Sequence, residues 1–230
     1  MDKLIVALDI DTLEKAEALV DKLYPAVRIF KIGSELFSSA GPEAARMIKR
    51  KGAEVFLDLK YHDIPNTVAR AVKVAARLKP LMINIHASGG PDMIKAASGS
   101  IKSLPKNQRP LLLAVTVLTS IDKTILNKLG ISRPPIKQVT FLAKTAKASG
   151  ADGVVCSPKE IRAVRKTCGE NFVIVTPGVR PAGAGSFDQK RIATPAWAIK
   201  KGANFIVVGR PIIKAKDPKK AAEEIIKQIC

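Results

Sequence analysis

Short apolar runs, each followed by a polar turn and a longer stretch with helical periodicity, recur along the whole chain. The runs are Leu4 to Leu8, Val27 to Ile32, Val55 to Leu57, Leu81 to Ile85, Leu111 to Val115, Val154-Val155, Phe172 to Val175 and Phe205 to Val208. Their brevity and their β-branched content read as strands buried on both faces. Between them the spacing predicts helices over Thr12–Leu23, Pro42–Lys51, Ile64–Leu78, Pro91–Ile101, Ile136–Ser149, Pro158–Thr167, Pro195–Lys201 and Pro218–Ile229. Pro158, Pro195 and Pro218 each follow a polar residue, which suits a first helical turn whose N–H groups have no partner in the helix. Gly52, Gly150 and Gly202 stand where helices should stop.

Strands alternating with helices imply a parallel sheet with right-handed crossovers. Eight such units in 230 residues fit a closed (β/α)8 TIM barrel, a single domain over residues 1–230. An open doubly wound sheet fits less well, because no GxGxxG follows the first strand. In a barrel the chemistry lies where strands end and loops begin, so charged residues at those ends become the candidates.

Composition narrows the class. With 47% hydrophobic and 26% charged residues the chain can bury a sizeable core, which excludes disorder. Three cysteines, Cys156, Cys168 and Cys230, are too few for a disulfide framework and read as reduced thiols of a cytoplasmic protein. No stretch approaches the roughly 18 apolar residues of a membrane helix, and aspartates interrupt the N-terminal apolar run, so no membrane partner is expected. The net charge of +19 raises the question of a polyanion. Its distribution argues otherwise, since 18 of the 39 basic residues fall in the first 115 and no basic arm exists. The clusters Lys49-Arg50-Lys51 and Lys219-Lys220 read as solvated helix faces, and 4% aromatic residues supply no stacking platform. No nucleic-acid partner is expected. Capture of a small anionic substrate fits the charge better.

The strongest anomaly is Phe56-Leu57-Asp58-Leu59-Lys60-Tyr61-His62-Asp63-Ile64-Pro65-Asn66-Thr67. Period-two alternation predicts Asp58 and Lys60 on one face at a strand end, with Asp63 following at a helix entrance. Acids and a base in this order can hold one another's charges. Asp9 ends the first apolar run and Lys31 lies in the second, so Asp9, Lys31, Asp58 and Lys60 should converge on one mouth. Gly209-Arg210 and Gly178-Val179-Arg180 end the last two strands, where barrels often bind phosphate.

These motifs together resemble the orotidine 5′-monophosphate decarboxylase family, in its short single-domain prokaryotic form. FLDLKYHDIPNT is the most specific of them. LIVALD, FKIGSELF around Lys31, HASGG from His86, VTVLTS, TPGVRPAG from Thr176, FDQKR and VVGRPI follow in the family's order. The resemblance implies decarboxylation of orotidine 5′-monophosphate to uridine 5′-monophosphate without metal or cofactor. It implies a charged tetrad of Lys31, Asp58, Lys60 and Asp63, with Lys60 stabilising and protonating the carbanion at C6 of the ring. A homodimer is implied, Asp63 and Thr67 entering the neighbouring site. Asp9 and Lys31 would hold ribose hydroxyls, and Thr119 would read the pyrimidine edge, although by itself Thr119 reads as a helix N-cap. Arg180, Gln189, Gly209 and Arg210 would serve phosphate or lid contacts, the lid being the Gly- and Pro-rich segment from Gly178 to Lys190.

A sugar-phosphate enzyme of the same superfamily is the rival, since hexulose-phosphate synthases share the DxKxxD core but use magnesium. The DIPNT continuation and Thr119 favour the nucleotide. Elsewhere the sequence is bland. His62 and His86 read as structural, no HxH, HExxH or CxxC spacing offers a metal cage, and Cys156 is not an expected nucleophile. Phe141 and Trp197, on helices, are expected in the core.

Overall fold

A computed structural model describes residues 2–180 and 193–229. Eight parallel strands close into a barrel in chain order: β1 (Leu4–Ala7), β2 (Ile29–Ile32), β3 (Glu54–Tyr61), β4 (Met82–His86), β5 (Leu111–Val115), β6 (Gly153–Val155), β7 (Val173–Thr176) and β8 (Phe205–Val208). The helices are α1 (Leu13–Leu23), α2 (Ser34–Ala40), α3 (Pro42–Arg50), α4 (Pro65–Ala76), α5 (Gly90–Lys102), α6 (Lys123–Lys128), α7 (Pro135–Ala148), α8 (Ile161–Cys168), α9 (Pro195–Lys200), α10 (Arg210–Ile213) and α11 (Pro218–Ile229). The expected (β/α)8 TIM barrel is therefore present. Three short helices, α2, α6 and α10, were not legible in the periodicity, and the expected Pro158–Thr167 helix opens as a 3-10 turn before α8.

Local chemistry starts the helices as anticipated. Thr12 caps α1, its hydroxyl accepting from the Lys15 N–H at 3.3 Å, and Thr194 caps α9 in the same way. Helix α1 then buries Ala16, Leu19, Val20 and Leu23 against the barrel at the i, i+3, i+4, i+7 spacing. Burial of each such aliphatic side chain contributes about 1.5–3 kcal/mol. The Lys49-Arg50-Lys51 cluster meets acids: Lys49 lies 2.7 Å from Glu54, Arg50 2.7 Å from Glu43 and Lys51 2.6 Å from Asp21. Such exposed pairs contribute little to stability.

Two core layers result. One lies between strands and helices. The other fills the barrel with Ile5, Ala7, Ile29, Phe56, Met82 and their neighbours. Two residues further along each of four strands the same inward face turns polar, giving Asp9, Lys31, Asp58 and Asn84. The barrel thus has an apolar floor and a charged mouth, set by a period of two.

The strands that carry the mouth's far side are pinned by Arg165 of α8. Its guanidinium donates to the carbonyls of Gly169, Glu170 and Phe172 at 2.7–2.8 Å, and to the Gly202 carbonyl and Asn204 Oδ1 at 2.6 and 2.9 Å. Asn204 Oδ1 also accepts the Ile174 N–H at 2.8 Å, so one cluster fixes the starts of β7 and β8.

Phe141 and Trp197 correct an expectation. They are 47% and 39% exposed rather than core, and each ring has a cation beside it: Arg133 lies 4.2 Å from the Phe141 centroid and Lys201 5.5 Å from that of Trp197. Among the described residues no helix is long and apolar enough to cross a membrane. Cys156 and Cys168 are free, buried thiols.

Candidate active site

Strands β1, β2 and β3 bring Asp9, Lys31, Asp58 and Lys60 together. Nζ of Lys31 lies 3.2 Å from Oδ1 of Asp9 and 3.2 Å from Oδ2 of Asp58. Nζ of Lys60 lies 2.8 Å from Oδ1 of Asp58. Acid, base, acid and base therefore form a continuous chain. Lys31 and Asp58 are buried, whereas the Lys60 and Asp9 side chains reach toward the opening. Burial opposes the charge on Lys31, but the carboxylates of Asp58 and Asp9 outweigh it and hold its pKa above the usual lysine value.

The route to this geometry is not the regular alternation that the sequence suggests. Leu57 of β3 is in register with Ile83 of β4, and Tyr61 with Ile85, so four steps on β3 match two on β4. The intervening residues bulge, and Lys60 adopts φ of 51°, a left-handed conformation uncommon outside glycine. Such conformations cluster at functional sites. Asn84, fully buried, accepts the Lys60 N–H on Oδ1 at 2.8 Å and donates to Oδ1 of Asp58 through Nδ2. Sequence reasoning missed Asn84. The available signal was a lone amide at an inward position of an otherwise apolar strand.

Space around the array is set by two glycines. A Cβ at Gly33 would lie 2.9 Å from Nζ of Lys31, although the backbone there would accept any residue. A Cβ at Gly209 would come to 3.4 Å from an Asp9 carboxylate oxygen and from Ala7.

The mouth divides into two chambers that meet at Lys31, Pro177 and Val207. One, about 130 Å3, is lined by Asp9, Gly178, Arg180, Gly209 and Arg210. The other, about 180 Å3, is lined by Phe56, Val115, Val117, Thr119, Val155 and Cys156, with Asp58 and Lys60 at its edge. A polar chamber holding two arginines thus adjoins a largely apolar slot. A larger cleft of about 280 Å3 opens beside Lys3, Leu4 and Val27 at the other end of the barrel, where residues of such folds serve stability.

Thr119 lines the apolar chamber, and the N-cap of α6 is Asp122, whose carboxylate accepts the Ile125 N–H at 3.0 Å. The capping alternative for Thr119 is thereby removed. Burial pushes the Cys156 thiol up, so it supplies no thiolate to the chamber it lines. His62 and His86, far apart in sequence, stand with ring centroids 5.4 Å apart beside the site. Asp63 and Thr67 are exposed, and no ion pair joins Asp63 to the array within the chain. Its carboxylate instead accepts the Ile64 N–H at 2.6 Å. Gln189 and the expected lid from residue 181 onward lie outside the described residues.

A family model described as "Orotidine 5'-phosphate decarboxylase / HUMPS family" matches residues 2–225. The chain belongs to this family. A relative from Trichlorobacter lovleyi, named orotidine 5'-phosphate decarboxylase, is 54% identical over 99% of this chain and 95% of its own length. One from Moorella thermoacetica with the same name is 50% identical over 99% and 92%. The crystal structure of orotidine 5'-phosphate decarboxylase from Lactobacillus acidophilus superposes with a TM-score of 0.87 at 43% identity, covering 99% of both chains. The family's description joins two names, and these relatives carry that of the decarboxylase.

Proposed function

We propose that the chain decarboxylates orotidine 5′-monophosphate to uridine 5′-monophosphate in de novo pyrimidine biosynthesis, acting as one (β/α)8 domain over residues 1–230 in the cytoplasm. The observation that carries the reading is the unbroken Asp9–Lys31–Asp58–Lys60 chain at the junction of an arginine-lined chamber and an apolar slot. The phosphate enters the first chamber, where Arg180 and Arg210 meet its oxygens and Gly209 lets the backbone approach. By the family resemblance Gln189 is a further phosphate contact. Asp9 and Lys31 hold the ribose hydroxyls at the junction. The pyrimidine fills the slot, and Thr119, which can donate and accept, reads its imide edge.

The chemical step follows from the charges. The bond from C6 to the carboxylate breaks, carbon dioxide departs, and the electron pair stays on C6 in an orbital the ring cannot delocalise. The barrier falls only if a fixed positive charge already faces that carbon. The Lys60 ammonium supplies it and then passes a proton to C6, giving the C6–H of the product. The lysine regains its proton from solvent. Asp58 keeps Lys60 oriented. Phosphate contacts distant from C6 contribute binding energy that is realised in the transition state.

The active unit is a homodimer in which Asp63 and Thr67 complete the neighbouring site. What supports this reading is that both are exposed, beside an Ile64 that is 67% exposed.

The deciding experiment follows orotidine 5′-monophosphate absorbance with purified protein, a chelator present and no metal added. Continued turnover is expected. Loss of turnover on chelation favours the magnesium-dependent sugar-phosphate chemistry instead.

A further inference from the structure

A primary amide inside an apolar barrel is costly unless its donors and acceptor are matched. Asn84 stands between Met82 and His86 on the inward face of β4, with no exposed surface. It faces the stretch of β3 where the ladder is interrupted, between the Leu57↔Ile83 and Tyr61↔Ile85 pairs. An interrupted ladder leaves backbone groups to be satisfied otherwise, and Asn84 Oδ1 takes the Lys60 N–H at 2.8 Å. That bond restrains the residue whose φ of 51° is an unfavourable conformation for a non-glycine. The other end of the same amide donates to Asp58 Oδ1, the oxygen that also meets Nζ of Lys60 at 2.8 Å. The amide orientation is dictated by its neighbours, because a backbone N–H needs the oxygen and a carboxylate needs the NH2.

We propose that Asn84 is a positioning residue for the decarboxylation: one amide fixes the backbone of Lys60 and the carboxylate of Asp58, and so sets where the Lys60 ammonium points. This rests on the assignment of Lys60 and Asp58 made above. Asn84 lines neither chamber, so its effect runs through those two residues rather than through contact with substrate.

Two variants separate positioning from mere support of the bulge. Asn84→Ala removes both bonds. Asn84→Asp keeps the shape and the acceptor for Lys60 N–H, but turns a second carboxyl oxygen toward Asp58. Two carboxyl groups in contact raise one another's pKa, so the introduced group donates to Asp58 while it holds a proton and repels it once that proton is lost at higher pH. The test measures kcat and KM for orotidine 5′-monophosphate across pH 5 to 9 alongside melting temperature. Asn84→Ala is expected to lose about 100-fold in kcat, as small misplacements of catalytic groups do, with KM nearly unchanged. Asn84→Asp should fall progressively below the wild type as pH rises, with its melting temperature at pH 5 close to that of the wild type.

An Asn84→Asp enzyme that tracks the wild type in kcat at every pH overturns the proposal, as does a loss confined to KM. If Asn84→Ala does not fold, the isosteric variant decides alone. If the wild type itself fails to decarboxylate the nucleotide, the functional reading is at fault. A crystal structure of Asn84→Asp at alkaline pH then decides the positioning role. Nζ of Lys60 leaving its contact with Asp58 supports it, and an undisturbed pair overturns it.

Discussion

Nζ of Lys60 meets Oδ1 of Asp58 at 2.8 Å across a backbone bulge, while Lys31 holds the other Asp58 oxygen at 3.2 Å from the neighbouring strand. Asp58 is thus occupied on both oxygens, and of the two lysines that line the slot Lys60 is the more exposed. Replacing Lys60 by alanine removes both the fixed charge and the proton donor. Turnover should fall by at least the roughly 100- to 10,000-fold typical of losing a general acid, measured by nucleotide absorbance. Circular dichroism should show an unchanged fold, because Lys60 is anchored through its backbone.

Much of this was legible along the chain, for a physical reason. Strand and helix periods are local, and Asp9, Lys31, Asp58 and Lys60 interrupt apolar runs at strand ends, where a barrel gathers them. The bulge was not legible, because FLDLKY alternates regularly and the shift exists only in its pairing with β4. Asn84 was hidden for the same reason: its partners lie 24 and 26 residues away in sequence. Phe141 and Trp197 misled because apolar character alone does not reveal which helix face a ring occupies, and both lie on exposed faces beside a cation. Helix α10, four residues long, is too short for a period to register.

Sharing of sites between subunits can be tested by mixing. Asp63→Ala and Lys60→Ala are each expected to abolish most activity. A mixture allowed to exchange subunits should recover part of it, because a heterodimer regains one site with both residues intact. Absorbance assays before and after exchange read the recovery. Exchange verified by mass-labelled subunits without any rescue would argue against a shared site.

Arg210 lines the polar chamber with Arg180 at the end of β8. A charge-assisted bond to phosphate is worth about 1.5–3 kcal/mol, so Arg210→Ala should weaken kcat/KM by roughly 10- to 150-fold. With orotidine, which lacks the phosphate, the variant and the wild type should differ little. Comparing the two substrates isolates the phosphate contact.

Burial lowers the pKa of His86, and the charges of His62 and Lys60 lower it further against the opposing pull of Asp58. A histidine more acidic when folded contributes stability that is fully present above its unfolded pKa of about 6.5. That contribution is lost as pH falls through the lower folded value. The melting temperature should therefore drop between pH 7 and pH 5, and His86→Gln should show a smaller drop. Melting curves at pH 5, 6 and 7 for both proteins check the sign.

The most direct measurement is a crystal structure with a bound pyrimidine nucleotide that mimics the C6 anion. The account predicts Nζ of Lys60 within about 3–3.5 Å of C6 or its substituent, the separation of reacting groups in near-attack geometry. A Lys60 side chain swung out to solvent, with the nucleotide seated and another group facing C6, would contradict it.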